Sequence, residues 1–387
     1  MRIFLICQQS KRSHAVPSYQ FWEGYLKHGI EEAGGVWMEA EGVDWAEGLT
    51  CADPQALRRW RETAWERTLS EIQRQKPSGI DFVLSYLFPG QVDSTAIQAI
   101  QSKGIPCVNF FCDNVREFSE MPAEFKPFAL QWVPEFEALP IYETAGARHL
   151  HLPMPAWVPP ERRVWDHPET HGVSFIGSRD PLRERLLSVL LERGVDLKIR
   201  GPGWGPASVR LLSPSSDRPP LLERLRGESR FLRQEGFPAW FWKLAWSFRR
   251  QVPEALFKNH VHELLSPVDY MNVIQESAVT LGINRTPHYR RSWNKPILYS
   301  RLRDIEAPML GACYLTEKTA GLSRLYDLGT EVETYTTADD MAEKIKQLTA
   351  DRGRRQKLRK AGQRRALAEH SIPRSLERIA ASLGIRS

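Results

Sequence analysis

Cysteine is scarce in this chain: five residues in 387, at positions 7, 51, 107, 112 and 313. No two are spaced as Cys-x-x-Cys and no Cys/His pattern has zinc-ligand spacing, so a structural zinc site has no support. Scattered cysteines, odd in number and mostly inside apolar runs, read as reduced core thiols, and the expected compartment is the cytoplasm. Long hydrophobic runs are absent too; none approaches the ~20 residues that span a bilayer. The apolar part of the opening MRIFLIC is too short for the core of a secretion signal and reads as a first buried strand.

Charge of one sign is unevenly placed. The chain carries 53 Lys+Arg and 47 Asp+Glu. Residues 1–160 hold 14 basic and 20 acidic side chains, and the remainder holds 39 and 27. An acidic first half and a basic second half suggest that the second half meets an anion such as a nucleotide or a phosphate-bearing lipid. Nucleic acid is not the expected partner.

With 42% hydrophobic and 26% charged residues, the chain has the composition of a folded globular protein. Its length predicts two or three domains. RIFLIC (2–7), DFVLSYL (81–87), IPCVNFFCDN (105–114), LQWVP (130–134) and RHLHLPM (148–154) read as buried strands. Helices are expected over 19–34, 53–75 and 94–104, with a short one ending at Gly146. Asp53 followed by Pro54 is an N-cap and first-turn pair. The stretch PMPAWVPPERRVWDHPETHG (153–172) holds five prolines in twenty residues and reads as a linker. The rhythm restarts with the strand VSFIG (173–177), a helix over 181–194 and the strand VDLKIRG (195–201). It resumes with a helix over 266–278, the strands VTLGIN (279–284) and ACYLTE (312–317), a strand near 331–335 and one basic helix over 337–370. Alternation of this kind predicts two doubly wound α/β domains, with ligands beyond the carboxyl ends of the strands. The expected boundaries are 1–155, a linker over 156–172, 173–365 with an insert over about 205–262, and a C-terminal helix over 366–387 that packs back on the first domain.

Inside the insert, FPAWFWKLAWSFRR (237–250) packs six aromatics and three cations into fourteen positions. A helix packed on its neighbours explains this composition, and so does an interfacial helix lying on a membrane or acceptor surface.

The segment RDIEAPMLGACYL (303–315) places Glu306 among small apolar residues. A buried carboxylate is costly unless something binds it. At the start of a helix it can accept two hydrogen bonds from a ribose diol, or it can serve as a cap or as the ion-pair partner of Arg303. IEAPMLGACYLTE resembles the nucleotide-sugar segment of group 1 glycosyltransferases. The ordered set FVLSYLFPGQVDSTAIQAIQSKGIPCVNFFCDN, VSFIGSRDPLRERLLSVLLERGVDLKIRGPGW, LSPVDYMNVIQESAVTLGINR, RDIEAPMLGACYLTE and KAGQRRALAEHS is similar to the CgeB-like, spore-maturation branch. That resemblance covers most of residues 15–375 outside the insert. It implies a GT-B fold, with two Rossmann-like domains facing a cleft and the second holding a nucleotide-diphosphate sugar such as a UDP-sugar.

Under that resemblance Glu306 would bind the ribose, with Arg303 and Gly311 beside it. Gly177, Ser178, Arg179 and Arg183 follow a buried strand and open a helix, where backbone N–H groups and arginine can cradle a pyrophosphate. Gly201 and Gly203 allow close backbone approach, and Trp204 can line a base pocket. Asn284 and Arg285 lie on a basic loop with Arg290, Arg291 and Lys295, and Arg285 would bind the diphosphate together with Arg179. No Asp-x-Asp pair occurs, which favours a metal-free site in which arginines offset the leaving-group charge. Many group 1 enzymes carry a second acid eight residues before the ribose glutamate; here that position is Leu298, so the paired motif linked to retention is not present. A base that deprotonates the acceptor hydroxyl is expected from the first domain: Asp113 at the end of a strand, or His14 in the loop after the first.

The expectation is therefore a cytoplasmic GT-B glycosyltransferase without a cofactor or metal. Its partners would be a nucleotide sugar and a glycan, lipid or protein acceptor, with membrane contact through 237–250. A nucleotide-sugar epimerase or hydrolase of the same fold is a rival, as is a non-catalytic carbohydrate- or surface-binding protein.

Overall fold

The computed structural model describes residues 1–7, 19–51, 53–75, 79–204, 237, 241, 244, 252–286 and 296–385. It divides into two compact units, Met1–Pro159 with Ala366–Ser387, and Pro160–Arg365.

The first unit is built on a six-stranded parallel sheet: β1 (Arg2–Cys7), β2 (Val36–Met38), β3 (Phe82–Tyr86), β4 (Cys107–Phe110), β5 (Leu130–Val133) and β6 (His149–His151), in the order β2-β1-β3-β4-β5-β6. Strands β3, β4 and β5 are buried along their whole length, as strands of a parallel sheet covered on both faces must be. Helices α1 (Tyr19–Glu32), α2 (Glu47–Thr50), α3 (Pro54–Arg74), α4 (Ser94–Gln101), α5 (Asn114–Glu117) and α6 (Leu139–Thr144) connect them. Asp53 caps α3 by accepting from the Ala56 N–H at 2.7 Å, with Pro54 in its first turn. Strand β2, only three residues long and partly exposed, carries no pattern that sequence reasoning can detect. The C-terminal helix Ile372–Leu383 packs on α1. Ile372 fills the space above Gly29, where an added Cβ would lie 2.5 Å from it.

The second unit has a five-stranded parallel sheet. β7 (His171–Ile176), β8 (Leu197–Arg200) and β9 (Ser277–Gly282) are followed by a small antiparallel pair, β10 (Arg285–Thr286) and β11 (Ile297–Leu298), then β12 (Tyr314–Glu317) and β13 (Glu333–Tyr335). The order is β13-β12-β9-β7-β8, so the connections reverse between β7 and β9. That reversal is where open α/β sheets place ligands. The intervening helices are α7 (Pro181–Glu192), α8 (Pro267–Glu276), α9 (Arg303–Met309), α10 (Leu322–Leu325) and α11 (Ala338–Ala350). The core between sheet and helices is made of Val173, Phe175, Leu187, Leu197, Ile199, Val279, Leu281 and Leu315, each contributing roughly 1.5–3 kcal/mol by burial.

One element differs from expectation. The single basic helix over 337–370 is two helices, α11 and α12 (Arg352–Glu369). Asp351 adopts an extended backbone between them, and its carboxylate accepts from the Arg354 N–H at 2.9 Å, capping the second helix. The charge pattern runs through the break and so hides it.

Among the described residues no helix is long and apolar enough to cross a membrane. Four of the five cysteines are buried. Of the aromatic segment, Phe237, Phe241 and Leu244 are described. They are helical and exposed, Phe237 most of all. Its tryptophans, like Arg290, Arg291 and Lys295, lie outside the described residues.

Candidate active site

The carboxyl ends of β7, β8, β9 and β12 carry most of the residues that the sequence singles out. Helix α9 starts with Arg303, Asp304 and Glu306, all close to the strand ends. Glu306 is only 4% exposed, and it accepts a short hydrogen bond from the phenol of Tyr270 on α8. That phenol in turn accepts from Arg303 Nη2 at 3.1 Å. Arg303 Nη1 donates to the carbonyl of Ile176 at the end of β7, which ties α9 to the sheet. Burial pulls the Arg303 guanidinium down, but Tyr270 and Glu306 beside it outweigh this and its pKa rises. It is a firmly charged group.

The neighbouring Asp304, which sequence reasoning passed over, is the more enclosed carboxylate. It is fully buried and accepts from Ser300 Oγ (2.9 Å), the Arg301 N–H (3.0 Å), Tyr314 Oη (2.9 Å), Thr316 Oγ1 (2.9 Å) and Asn284 Nδ2 (3.0 Å). Burial nevertheless raises its pKa, the donors opposing. With that many donors it fixes the frame on which Glu306 sits. No single-residue signal separates the two acids; only the count of Ser, Thr, Tyr and Asn that the fold brings to Asp304 does so.

Arg183, in the first turn of α7, is held by Ser178, whose carbonyl and hydroxyl each accept from Nη1 at 2.9 Å. Its Nε lies 3.1 Å from Asp180 without the alignment of a hydrogen bond. Burial lowers its pKa; Asp180 opposes this, and Arg301 and Arg303 add repulsion. Three arginines therefore converge at one place, and the Nε of each is buried with no hydrogen-bond partner. Arg301 stacks on the Tyr299 ring, 4.6 Å from its centroid. Like positive charges brought together inside a fold are costly unless an anion joins them. Besides Asp304, sequence reasoning missed Arg301 and Tyr270 at this site. The first has a weak signal as a cation two residues before Arg303, and the second has none.

Other candidates are placed elsewhere or already engaged. The backbone N–H groups of Leu182 and Arg183, expected to meet a pyrophosphate, donate instead to the Asp180 carboxylate at 2.9 and 3.0 Å. A second anion there would meet that charge. Arg179 is ion-paired with Glu184 and packs over Trp204 and Phe257. Trp204 is a core residue, 1% exposed, whose indole N–H donates to the Gly177 carbonyl at 2.7 Å. It lines no base pocket, because Phe175 and Phe257 enclose it. Arg285 is tied by Nε to Glu317 at 2.8 Å; burial lowers its pKa and Glu317 more than restores it. Asn284 donates to Asp304, Thr316 and Glu317. Gly201 has φ 138°, and a Cβ on it would lie 2.2 Å from the Gly177 carbonyl oxygen, so it serves the close approach of two strand-end turns; Gly203 abuts Arg179. Gly311, at φ 73°, packs under Trp165 and Val164. These glycines answer to packing.

In the first unit, Asp113 sits just past β4 and is the sole non-glycine residue with positive φ (63°) among the described residues. Such a conformation costs ~1 kcal/mol or more and is a pointer to function. Its side chain is about a third exposed, with Arg116 4.0 Å away. Just past the adjacent β5 lies Glu135, wholly buried. Its Oε2 accepts from the Val115 N–H at 3.4 Å, while Oε1 has no partner. Burial, and then the charge of Asp113, raise its pKa to about 8. Tyr142 braces the turn by donating to Asn114 at 2.6 Å. Glu135 escaped sequence reasoning because EFEALP offers two glutamates, 135 and 137, and no cue to which is buried. His14 lies outside the described residues.

Both units are parallel, doubly wound sheets, and together they have the GT-B fold. The sucrose-phosphate synthase tll1590 from Thermosynechococcus elongatus superposes with a TM-score of 0.60 at 13% identity, over 99% of each chain. Anabaena Alr3699/HepE, solved in complex with UDP, gives 0.54 at 12% identity over 99% of this chain and 100% of that one. AviGT4, a glycosyltransferase involved in avilamycin A biosynthesis, gives 0.54 at 14% identity over 99% and 97%. No curated protein matches in sequence. The glycosyl transferase-like family matches residues 183–381, and the chain belongs to it.

Proposed function

We propose that this chain transfers a sugar from a nucleotide-diphosphate donor to a hydroxyl acceptor without a metal. The observation that carries this reading is the convergence of Arg183, Arg301 and Arg303 beside the buried Tyr270–Glu306 pair, at the carboxyl ends of β7 and β9. Three cations suit a diphosphate, and a carboxylate suits the ribose diol. In the reaction the acceptor oxygen attacks the anomeric carbon and the bond from that carbon to the diphosphate oxygen breaks. The acceptor proton passes to Asp113, and the nucleoside diphosphate leaves with its charge offset by the arginines. UDP is the first candidate nucleotide, because Alr3699/HepE was solved with it. The CgeB-like motifs support the same branch of enzymes. Calorimetric titration with UDP, GDP, dTDP and ADP tests the reading: at least one should bind the folded wild-type protein, and binding by none would sink it.

Phe237, Phe241 and Leu244, exposed at helical spacing, support a second element of the reading, contact of residues 237–250 with the cytoplasmic face of a membrane. Cosedimentation with anionic liposomes should be lost when 237–250 are removed. Equal cosedimentation of both proteins, or none by the intact chain, counts against it.

A further inference from the structure

We propose that Tyr270 is a positioning residue that fixes Glu306 for the donor ribose and links it to the charge of Arg303. The inference rests on the reading that Glu306 grips the ribose. Three groups stand in line: Arg303 Nη2 donates to the Tyr270 hydroxyl at 3.1 Å, and that hydroxyl donates its single proton to Glu306 Oε2. The polarity of the chain is fixed by chemistry. A guanidinium only donates, a carboxylate only accepts, and a phenol between them does one of each. Arg303 and Glu306 are three residues apart on α9, whereas Tyr270 comes from α8. The phenol is thus the cross-brace between two helices as well as the relay between two charges.

The guanidinium also lies 5.4 Å from the centre of the Tyr270 ring, so the ring and the hydroxyl hold it from two directions. Arg303 Nη1 is committed to the Ile176 carbonyl, and its Nε is buried with no hydrogen-bond partner. That nitrogen lies in the arginine cluster assigned to the diphosphate. A nucleotide touching both ends would therefore meet one hydrogen-bonded unit. Phosphate drawn to Arg303 acts on the same phenol that orients the ribose carboxylate. A buried, bonded carboxylate in one rotamer loses less freedom when the diol arrives, which is how preorganisation raises affinity.

The test separates positioning from mere packing. Tyr270→Phe keeps the ring and removes only the hydroxyl. Binding of UDP and of 2′,3′-dideoxy-UDP is measured by calorimetry for wild type, Tyr270→Phe, Glu306→Gln and the double variant. The expected result is a loss of about tenfold for UDP in Tyr270→Phe, the scale of one charge-assisted hydrogen bond, with no change for the dideoxy nucleotide. The double variant should bind UDP no more weakly than Glu306→Gln alone, because the two residues act through one contact. Equal losses for both nucleotides, or no loss for either, would overturn the role of Tyr270 while leaving the ribose reading intact. If Glu306→Gln binds UDP as the wild type does, or the wild type binds neither UDP nor GDP, dTDP or ADP, the ribose reading itself falls, and the inference with it. Thermal melting of each variant shows whether it is folded.

Discussion

The two units solve the same structural problem with opposite charges. Each is a parallel sheet whose strands end at one edge, and each gathers ionisable side chains there. In the first unit these are Asp113 and the buried Glu135 past β4 and β5. In the second they are Arg183, Arg301 and Arg303 around β7 and β9, with Glu306 held by Tyr270. The acidic and basic halves of the sequence thus have local counterparts at the strand ends. The difference teaches what each edge can do. A carboxyl pair with one member exposed is suited to taking a proton, whereas a set of under-partnered guanidiniums is suited to holding an anion.

The largest expected effect would break the comparison on its acidic side. If Asp113 takes the acceptor proton, Asp113→Asn should lower the transfer rate ~10²–10⁴-fold while nucleotide binding, proposed for the basic edge, stays as in wild type. Single-turnover transfer and calorimetry on the same preparation check this together. An Asn variant that transfers at the wild-type rate removes Asp113 from the chemistry and leaves the acidic edge with a structural role.

How much of this was legible beforehand follows from the kind of signal each residue gives. Strands β3, β4 and β9 announce themselves because a strand covered on both faces is mostly apolar and shows no polar alternation. Asp53 and Pro54 announce α3 because a cap is a local device. Glu306 was legible because a lone acid in an apolar run demands a partner, although the partner, Tyr270, lies 36 residues away and only the fold brings it near. Arg179 and Arg285 looked like ligand groups for the same reason that Arg183 did: each follows a strand. What sets them apart is the company each keeps. Glu184 and Glu317 claim the first two, whereas Arg183, with Asp180 3.1 Å from its Nε, also faces the like charges of Arg301 and Arg303. Trp204 misled because tryptophan suits a base pocket and a core equally. Contacts distant in sequence decide such cases, and no spacing records them.

The smaller effect sharpens the comparison through pH. Glu135 is held at about 8 by burial and by Asp113, far above an ordinary carboxyl. Tyr142 and Cys112 lie nearby, both raised well out of range by burial, so neither gains or loses a proton over the range in which Glu135 does. Between the ordinary carboxyl range and pH 8 the folded protein binds one proton that the unfolded chain has released. Stability from this site is therefore present in full at the acid end and is lost as pH rises towards 8, with a slope of at most ~1.4 kcal/mol per pH unit. Glu135→Gln has no proton to lose, so its stability relative to wild type should improve steadily from pH 5 to pH 8. Urea midpoints for the two proteins across that range give the difference directly, with groups common to both cancelling. A constant difference would mean that Glu135 stays ionised, and that the acidic edge holds two negative charges rather than one charge and one proton. A role for Asp113 as base would then need another group to relieve it, because a second anion at that depth raises the cost of every charged state beside it.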